Sequence, residues 1–86
     1  MVRHFTSPRF WQHYEALPSN VRELAVKNYA LLKSDPSHPS LRFKKTAEGL
    51  WSVRVGRQYR ALAVERREGL LWFWIGTHTE YDNLLG

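Results

Sequence analysis

The sequence predicts an α+β fold in the order β-α-α-β-β-β-β, with an N-terminal helical hairpin packed on a small, mainly antiparallel twisted sheet. Apolar residues recur at helical spacing as far as Leu32, and from Leu41 onward they alternate with polar residues at a period of two. The change falls in residues 34–40, where Pro36, Pro39 and small polar side chains prevent a helix from continuing. Turn signals at Ala47-Glu48-Gly49 and Glu68-Gly69 then divide the remainder into short strands.

Each element follows from local chemistry. Residues 2–6 are short and extended, suited to an edge strand. Ser7 followed by Pro8 is a helix start, because the hydroxyl can cap free backbone N–H groups and proline tolerates the first helical position. Phe10, Trp11, Tyr14 and Leu17 give that helix its apolar side, and Pro18 ends it. The second helix is expected after Ser19 or Asn20, with Asn20 and Glu23 spaced as a capping box and Val21, Leu24, Ala25, Asn28, Leu31 and Leu32 in one stripe.

Leu41 and Phe43, alternating with Arg42 and Lys44, read as the next strand. Trp51, Val53 and Val55, alternating with Ser52, Arg54 and Gly56, read as its partner. Residues 59–65 are apolar on both faces apart from Arg60, as a central strand should be. The last strand, residues 70–75, is expected to break at Gly76 and present His78 at its end, followed by a short turn or helix. Trp72 and Trp74 should share a side, and the tryptophans Trp11, Trp51, Trp72 and Trp74 should pack the sheet against the helices.

Composition bounds the function. The chain has 86 residues, 43% of them apolar and 14% aromatic, which describes a single folded domain over residues 1–86 rather than a disordered chain. A chain of this size buries only roughly 60% of its unfolded surface, so a partner is expected to complete its stability. Cysteine is absent, which excludes disulfides and thiolate metal sites. No apolar run reaches the roughly 18 residues of a membrane span, and the N-terminus lacks an apolar leader, so a cytoplasmic location is expected. The formal charge of +5 favours a polyanion or an acidic protein as partner. That charge is concentrated in Arg42, Lys44, Lys45, Arg54, Arg57 and Arg60, with Glu48 the one acidic residue among them; solvated surface cations are the plain alternative.

A histidine at a strand terminus near an arginine cluster suits phosphate-ester chemistry. Histidine can give or take a proton near neutral pH, and arginine holds negative charge on phosphorus. His78 is therefore the candidate acid or base, against a capping or solvent role. Arg60, in an otherwise apolar strand, needs an anionic partner: a phosphate, or a carboxylate such as Glu65 or Glu80. Arg54 is similar. Arg57, in a turn, can reach a phosphate backbone or stand free in solvent, and Lys44 and Lys45 extend the same basic stretch. Tyr81, three residues after His78, would share its helical face and could stack on a base or simply pack. Neither closely spaced carboxylates nor a phosphate-cradling glycine loop is present, so neither a cofactor nor a metal is expected.

With the helical hairpin, His38-Pro39-Ser40-Leu41-Arg42, the hairpin from Trp51 to Arg60 and Ile75-Gly76-Thr77-His78 in this order, the whole chain resembles the RelE/ParE toxin superfamily, and Gly76-Thr77-His78 and His38-Pro39 resemble its YafQ-like branch. The resemblance implies a toxin of a type II toxin–antitoxin pair, a metal-independent endoribonuclease that cuts mRNA on the ribosome. In it His78 would belong to the cleaving site, Arg60 would bind phosphate, and His38 would join the substrate site or remain a solvated loop histidine. It also implies a cognate, acidic antitoxin laid over the sheet as an amphipathic helix or strand, with mRNA and ribosomal RNA as further partners. Two alternatives accompany it: a ParE-like inhibitor of DNA gyrase that catalyses nothing, and an antitoxin-binding homologue without toxicity. The chain departs from the family pattern at Ser52, where a second basic residue is common, and in a turn between Gly56 and Tyr59 that is one residue longer.

Overall fold

The computed structural model describes residues 2–85. The elements are β1 (His4–Thr6), α1 (Pro8–Glu15), α2 (Ser19–Ser34), a 3₁₀ turn (Pro39–Leu41), β2 (Lys44–Ala47), β3 (Leu50–Val55), β4 (Tyr59–Arg66), β5 (Gly69–Thr77) and α3 (His78–Leu85). The strands form one sheet in the order β1-β5-β4-β3-β2, with β1 parallel to β5 and every other pair antiparallel. The α+β architecture expected from the sequence is the one found, with β4 at its centre.

The α1 start is as expected: Ser7 Oγ accepts from the Phe10 N–H at 3.2 Å and Pro8 is the first helical residue. The start of α2 is not. Pro18 is its N-cap and no side chain caps it, so Asn20 and Glu23 form no capping box. The helix begins at Ser19, two residues too early for Asn20 to stand outside it as a cap. Between the helices Arg22 Nη1 donates to the Leu17 carbonyl at 2.7 Å, satisfying an acceptor that the end of α1 leaves open.

Leu41 and Arg42 are not strand residues. His38 Nδ1 accepts from the Ser40 N–H at 3.2 Å, Pro39 occupies the first position of the 3₁₀ turn, and Arg42 turns out of it in the left-handed conformation at φ 45°. Leu41 is thereby driven fully into the core, and β2 begins only at Lys44.

One face of the sheet carries the main core. Leu17, Val21 and Leu32 from the helical segment pack with Leu41, Val53, Val55, Ala61, Ala63, Leu70, Trp72 and Ile75. Leu62, Trp74 and Tyr81 form a smaller cluster joined by Phe73. Trp72 and Trp74 therefore belong to different clusters, contrary to the expectation that they share a side. The register slips where Leu62 pairs with Trp74 and Ala63 with Trp72, and this bulge reverses the alternation. Trp51 stacks on Phe43 at 4.8 Å and joins the main core, but Trp11 stays half exposed, its indole donating to Thr6 Oγ1 at 2.9 Å. Between the helices and the sheet lies an apolar cavity of about 560 Å³ lined by Phe10, Tyr14, Tyr29, Val53, Trp72 and Ile75 among others.

β5 does not break at Gly76. Gly76 pairs with Arg60 inside the ladder, and the strand ends at Thr77. A Cβ at Gly76 would stand 2.5 Å from the Trp74 ring and 2.8 Å from Glu80 Oε1, so the glycine is required by how closely Trp74 and α3 approach.

Candidate functional site

β3 and β4 pair so that Arg54 stands directly opposite Arg60. Because alternate residues of each strand point the same way, sending Val53, Val55 and Ala61 into the helix-covered core sends Arg54 and Arg60 to the other face together. Two like charges directly opposite each other are unfavourable in a sheet, and among the described residues neither has a carboxylate partner. Glu65 is held by Trp51 Nε1 at 2.6 Å and Lys45 at 3.3 Å, and Glu80 by the Thr77 N–H and hydroxyl at 2.9 and 3.0 Å. The sequence alternative in which Arg60 pairs with Glu65 or Glu80 is thus not realised.

Arg60 is 7% exposed. Its Nη1 donates to Ser52 Oγ at 3.2 Å, the Tyr81 ring lies 5.1 Å from Cζ, and Nε is buried with no acceptor. A guanidinium taken out of water with a hydroxyl and an aromatic face as company remains an unneutralised cation, and an incoming anion would complete its bonding. Arg54 is half-buried, its Nε donating to the Gly56 carbonyl at 3.0 Å. The turn that follows holds Gly56 at φ +66°, with Leu24 of α2 so close that a Cβ would lie 2.6 Å from it.

His78 opens α3. Its backbone N–H donates to the Gln58 carbonyl at 2.7 Å, which ties the start of α3 to the β3–β4 turn and brings His78 to the end of the sheet where exposed Arg57 stands. The imidazole is exposed, with Nδ1 3.3 Å from Asp82 Oδ2 and the Tyr81 ring edge-on at 5.9 Å. Tyr81, 8% exposed, therefore touches both Arg60 and His78 and links them into one cluster. With its ring so engaged, Tyr81 packs in this state and offers no free platform for a base.

α3 is held by a reciprocal capping box that the sequence reading did not use. Glu80 Oε1 accepts from Thr77, and the Glu80 N–H donates back to Thr77 Oγ1 at 3.1 Å. The Thr77 backbone bond first, and its hydroxyl second, hold the Glu80 carboxyl below the usual carboxylate range. The signal was present as Thr-x-x-Glu; Asp82, four residues after His78, could be read in the same way. Nothing in the sequence marks the Gln58 carbonyl as the anchor of α3.

Other candidate residues lie apart from the cluster or at its margin. Lys44 is exposed on β2, in register with Ser52 and hence on the arginine face. Lys45 pairs with Trp51 on the opposite face and is occupied by Glu65, whose carboxyl is lowered first by the Trp51 indole and then by Lys45. His38 caps its own 3₁₀ turn through Ser40, a structural task. His4, for which the sequence offers no neighbour, accepts from the Trp72 indole at 3.0 Å across the β1–β5 pair, and burial and then Lys33 lower its pKa. Among the described residues no group of His, Asp or Glu side chains is arranged to hold a metal ion.

The fold matches solved toxin structures over nearly their whole length. The structure of the RelB–RelE antitoxin–toxin complex from Methanococcus jannaschii matches at a TM-score of 0.72 and 13% identity, covering 95% of this chain and 99% of that one. YafQ from Escherichia coli matches at 0.73 and 11%, covering 94% and 98%, and the isolated E. coli RelE toxin at 0.64 and 12%, covering 99% and 97%. At these identities the likeness is one of fold. No curated protein matches the sequence. Residues 19–83, which contain the arginine pair, the β3–β4 turn and His78, match the ParE-like toxin domain, and the chain belongs to that family within the RelE/ParE superfamily.

Proposed function

We propose that this protein is the toxin of a type II toxin–antitoxin pair and acts as a ribosome-dependent mRNA endoribonuclease. The observation that carries the reading is Arg60: a buried cation facing a second arginine, with no carboxylate partner among the described residues and one N–H unpaired, in one cluster with the exposed His78 imidazole. RNA is cut without a metal when its own 2′-oxygen bonds to phosphorus and the bond to the 5′-oxygen breaks. The step needs a base for the 2′-hydroxyl, cations for the charge that builds on phosphorus, and a proton for the departing oxygen. Arg60 and Arg54 supply the cations, and His78 supplies one of the proton transfers. Arg57 and Lys44 serve the RNA backbone from the margin of the site.

Arg60 is covered by Tyr81, so the phosphate reaches it as α3 leans away. That helix buries one residue, Tyr81, while Leu84 and Leu85 remain exposed, and it is correspondingly easy to displace. The expected protein partner is an acidic antitoxin. The apolar cavity under the helices, flanked by Arg3 over Phe5 and Lys33 over Tyr29, fits an amphipathic segment with acidic flanks and would gain the core that so small a domain lacks.

The covered state of Arg60, together with the ParE-like match, favours one second reading, a non-catalytic inhibitor of DNA gyrase. Expression of the wild type and of His78→Ala without antitoxin, with primer extension along cellular mRNA, separates the two. Codon-phased ends that disappear in the variant support the nuclease; growth arrest without new ends supports gyrase or another target.

A further inference from the structure

Ser52 puts a buried hydroxyl beside the Arg60 guanidinium, and its surroundings give that hydroxyl a purpose. It is fully buried, lies on β3 two residues from Arg54, and accepts from Arg60 Nη1 at 3.2 Å. The guanidinium also lies over the Tyr81 ring, with Cζ 5.1 Å from its centre. Arg60 is thus gripped at one terminal nitrogen and over one face, while Nε stays unpaired. The grip restricts rotation about the last side-chain bonds without neutralising the charge.

The chemistry of the alternatives shows why a hydroxyl matters. A carboxylate at this position would form an ion pair with Arg60 and compete with any phosphate, and a second cation would repel Arg60 in a region with little water to screen it. A methyl group would leave Nη1 as a further unpaired buried donor. Serine alone among these both satisfies Nη1 and leaves the positive charge available.

We propose that Ser52 is a positioning residue, which holds the Arg60 guanidinium so that its unpaired Nε–H meets a non-bridging oxygen of a phosphodiester. The proposal rests on the reading of Arg60 as the phosphate ligand. Tyr81 is the movable jaw of the clamp and Ser52 the fixed one, because Ser52 sits inside the β3–β4 ladder opposite Leu62 whereas Tyr81 rides on α3. A group oriented before the substrate arrives loses less freedom when charge builds on phosphorus, so its effect falls on turnover more than on binding of the ribosome.

The test compares wild type, Ser52→Ala and Ser52→Thr, each first confirmed as folded by thermal melting. Inorganic phosphate is titrated while the ¹H–¹⁵N signal of Arg60 Nε–H is followed, and cleavage of mRNA on purified ribosomes is resolved into kcat and KM. Ser52→Ala is expected to weaken phosphate binding about tenfold and lower kcat about tenfold with KM nearly unchanged, and Ser52→Thr, which keeps the hydroxyl, to restore both. If wild type and Ser52→Ala bind phosphate and turn over equally, Ser52 is merely structural and the proposal fails while the phosphate reading stands. If phosphate moves no Arg60 signal even in the wild type, the phosphate reading fails and takes the proposal with it.

Discussion

On β3 and β4, Val53, Val55, Ala61 and Ala63 enter the helix-covered core, while their immediate neighbours Ser52, Arg54 and Arg60 turn to the opposite face. The first set is apolar and closely packed, with Ala63 fully buried. The second set holds two cations without counter-charge among the described residues and a buried Nε with no acceptor. Strand alternation thus lets the same backbone hold a stabilising face and an unsatisfied one at adjacent positions. The price of the second face is stability, which the first must supply.

The sharpest way to break the comparison is to damage each face and read both outputs. Trp72→Ala removes a large buried ring from the core and the indole bond to His4, and should cost about 3–5 kcal/mol, most of the stability of a domain this small, as read by chemical denaturation. His78→Ala should leave the unfolding midpoint nearly unchanged and reduce mRNA cleavage roughly 10²–10⁴-fold in a ribosome cleavage assay. Unchanged cleavage would remove His78 from the chemistry.

Arg60→Met tests the contrast directly. Replacing an unpaired buried cation by an apolar chain should raise stability by roughly 1–3 kcal/mol while abolishing cleavage. A fall in stability would mean that Arg60 is a packing residue after all. A smaller effect is expected at α3, where Thr77→Ala removes the capping box and should loosen the helix by about 1 kcal/mol, visible as faster amide exchange confined to α3. Glu80 has a depressed carboxyl pKa, so its contribution is complete above the range in which a free carboxylate protonates and is lost as pH falls through its lower folded value. The exchange of α3 should therefore quicken below about pH 4 in the wild type and show no such step in Glu80→Ala.

The smallest effect belongs to the helix-covered face. His4 has its pKa lowered by burial and then by Lys33, so an unfolded chain takes up a proton there before the folded one does. Stability should decline slightly as pH drops through about 6.5, and His4→Asn should flatten that slope in denaturation curves taken across the range.

Much of this was legible in the chain itself. The order of elements, the central position of β4 and the Ser7–Pro8 helix start follow from residue spacing and turn chemistry, because they depend on local sterics and on period, while the toxin superfamily was legible as a resemblance that the family match bears out. The candidate histidine and arginines were visible as types out of place, an ionisable group at a strand end and a cation in an apolar strand. What spacing could not show is who faces whom. The slip between Leu62 and Ala63 that parts Trp72 from Trp74, the 3₁₀ turn that buries Leu41, the Gln58 anchor of α3, and the meeting of Ser52, Arg60 and Tyr81 join residues distant in sequence. Local sequence determined which segments would be helix or strand, since caps, prolines and alternation act over a few residues. Tertiary packing alone decided that a buried arginine would be held by a hydroxyl and an aromatic ring rather than by a carboxylate, since that outcome depends on which side chains three separate elements deliver to one point.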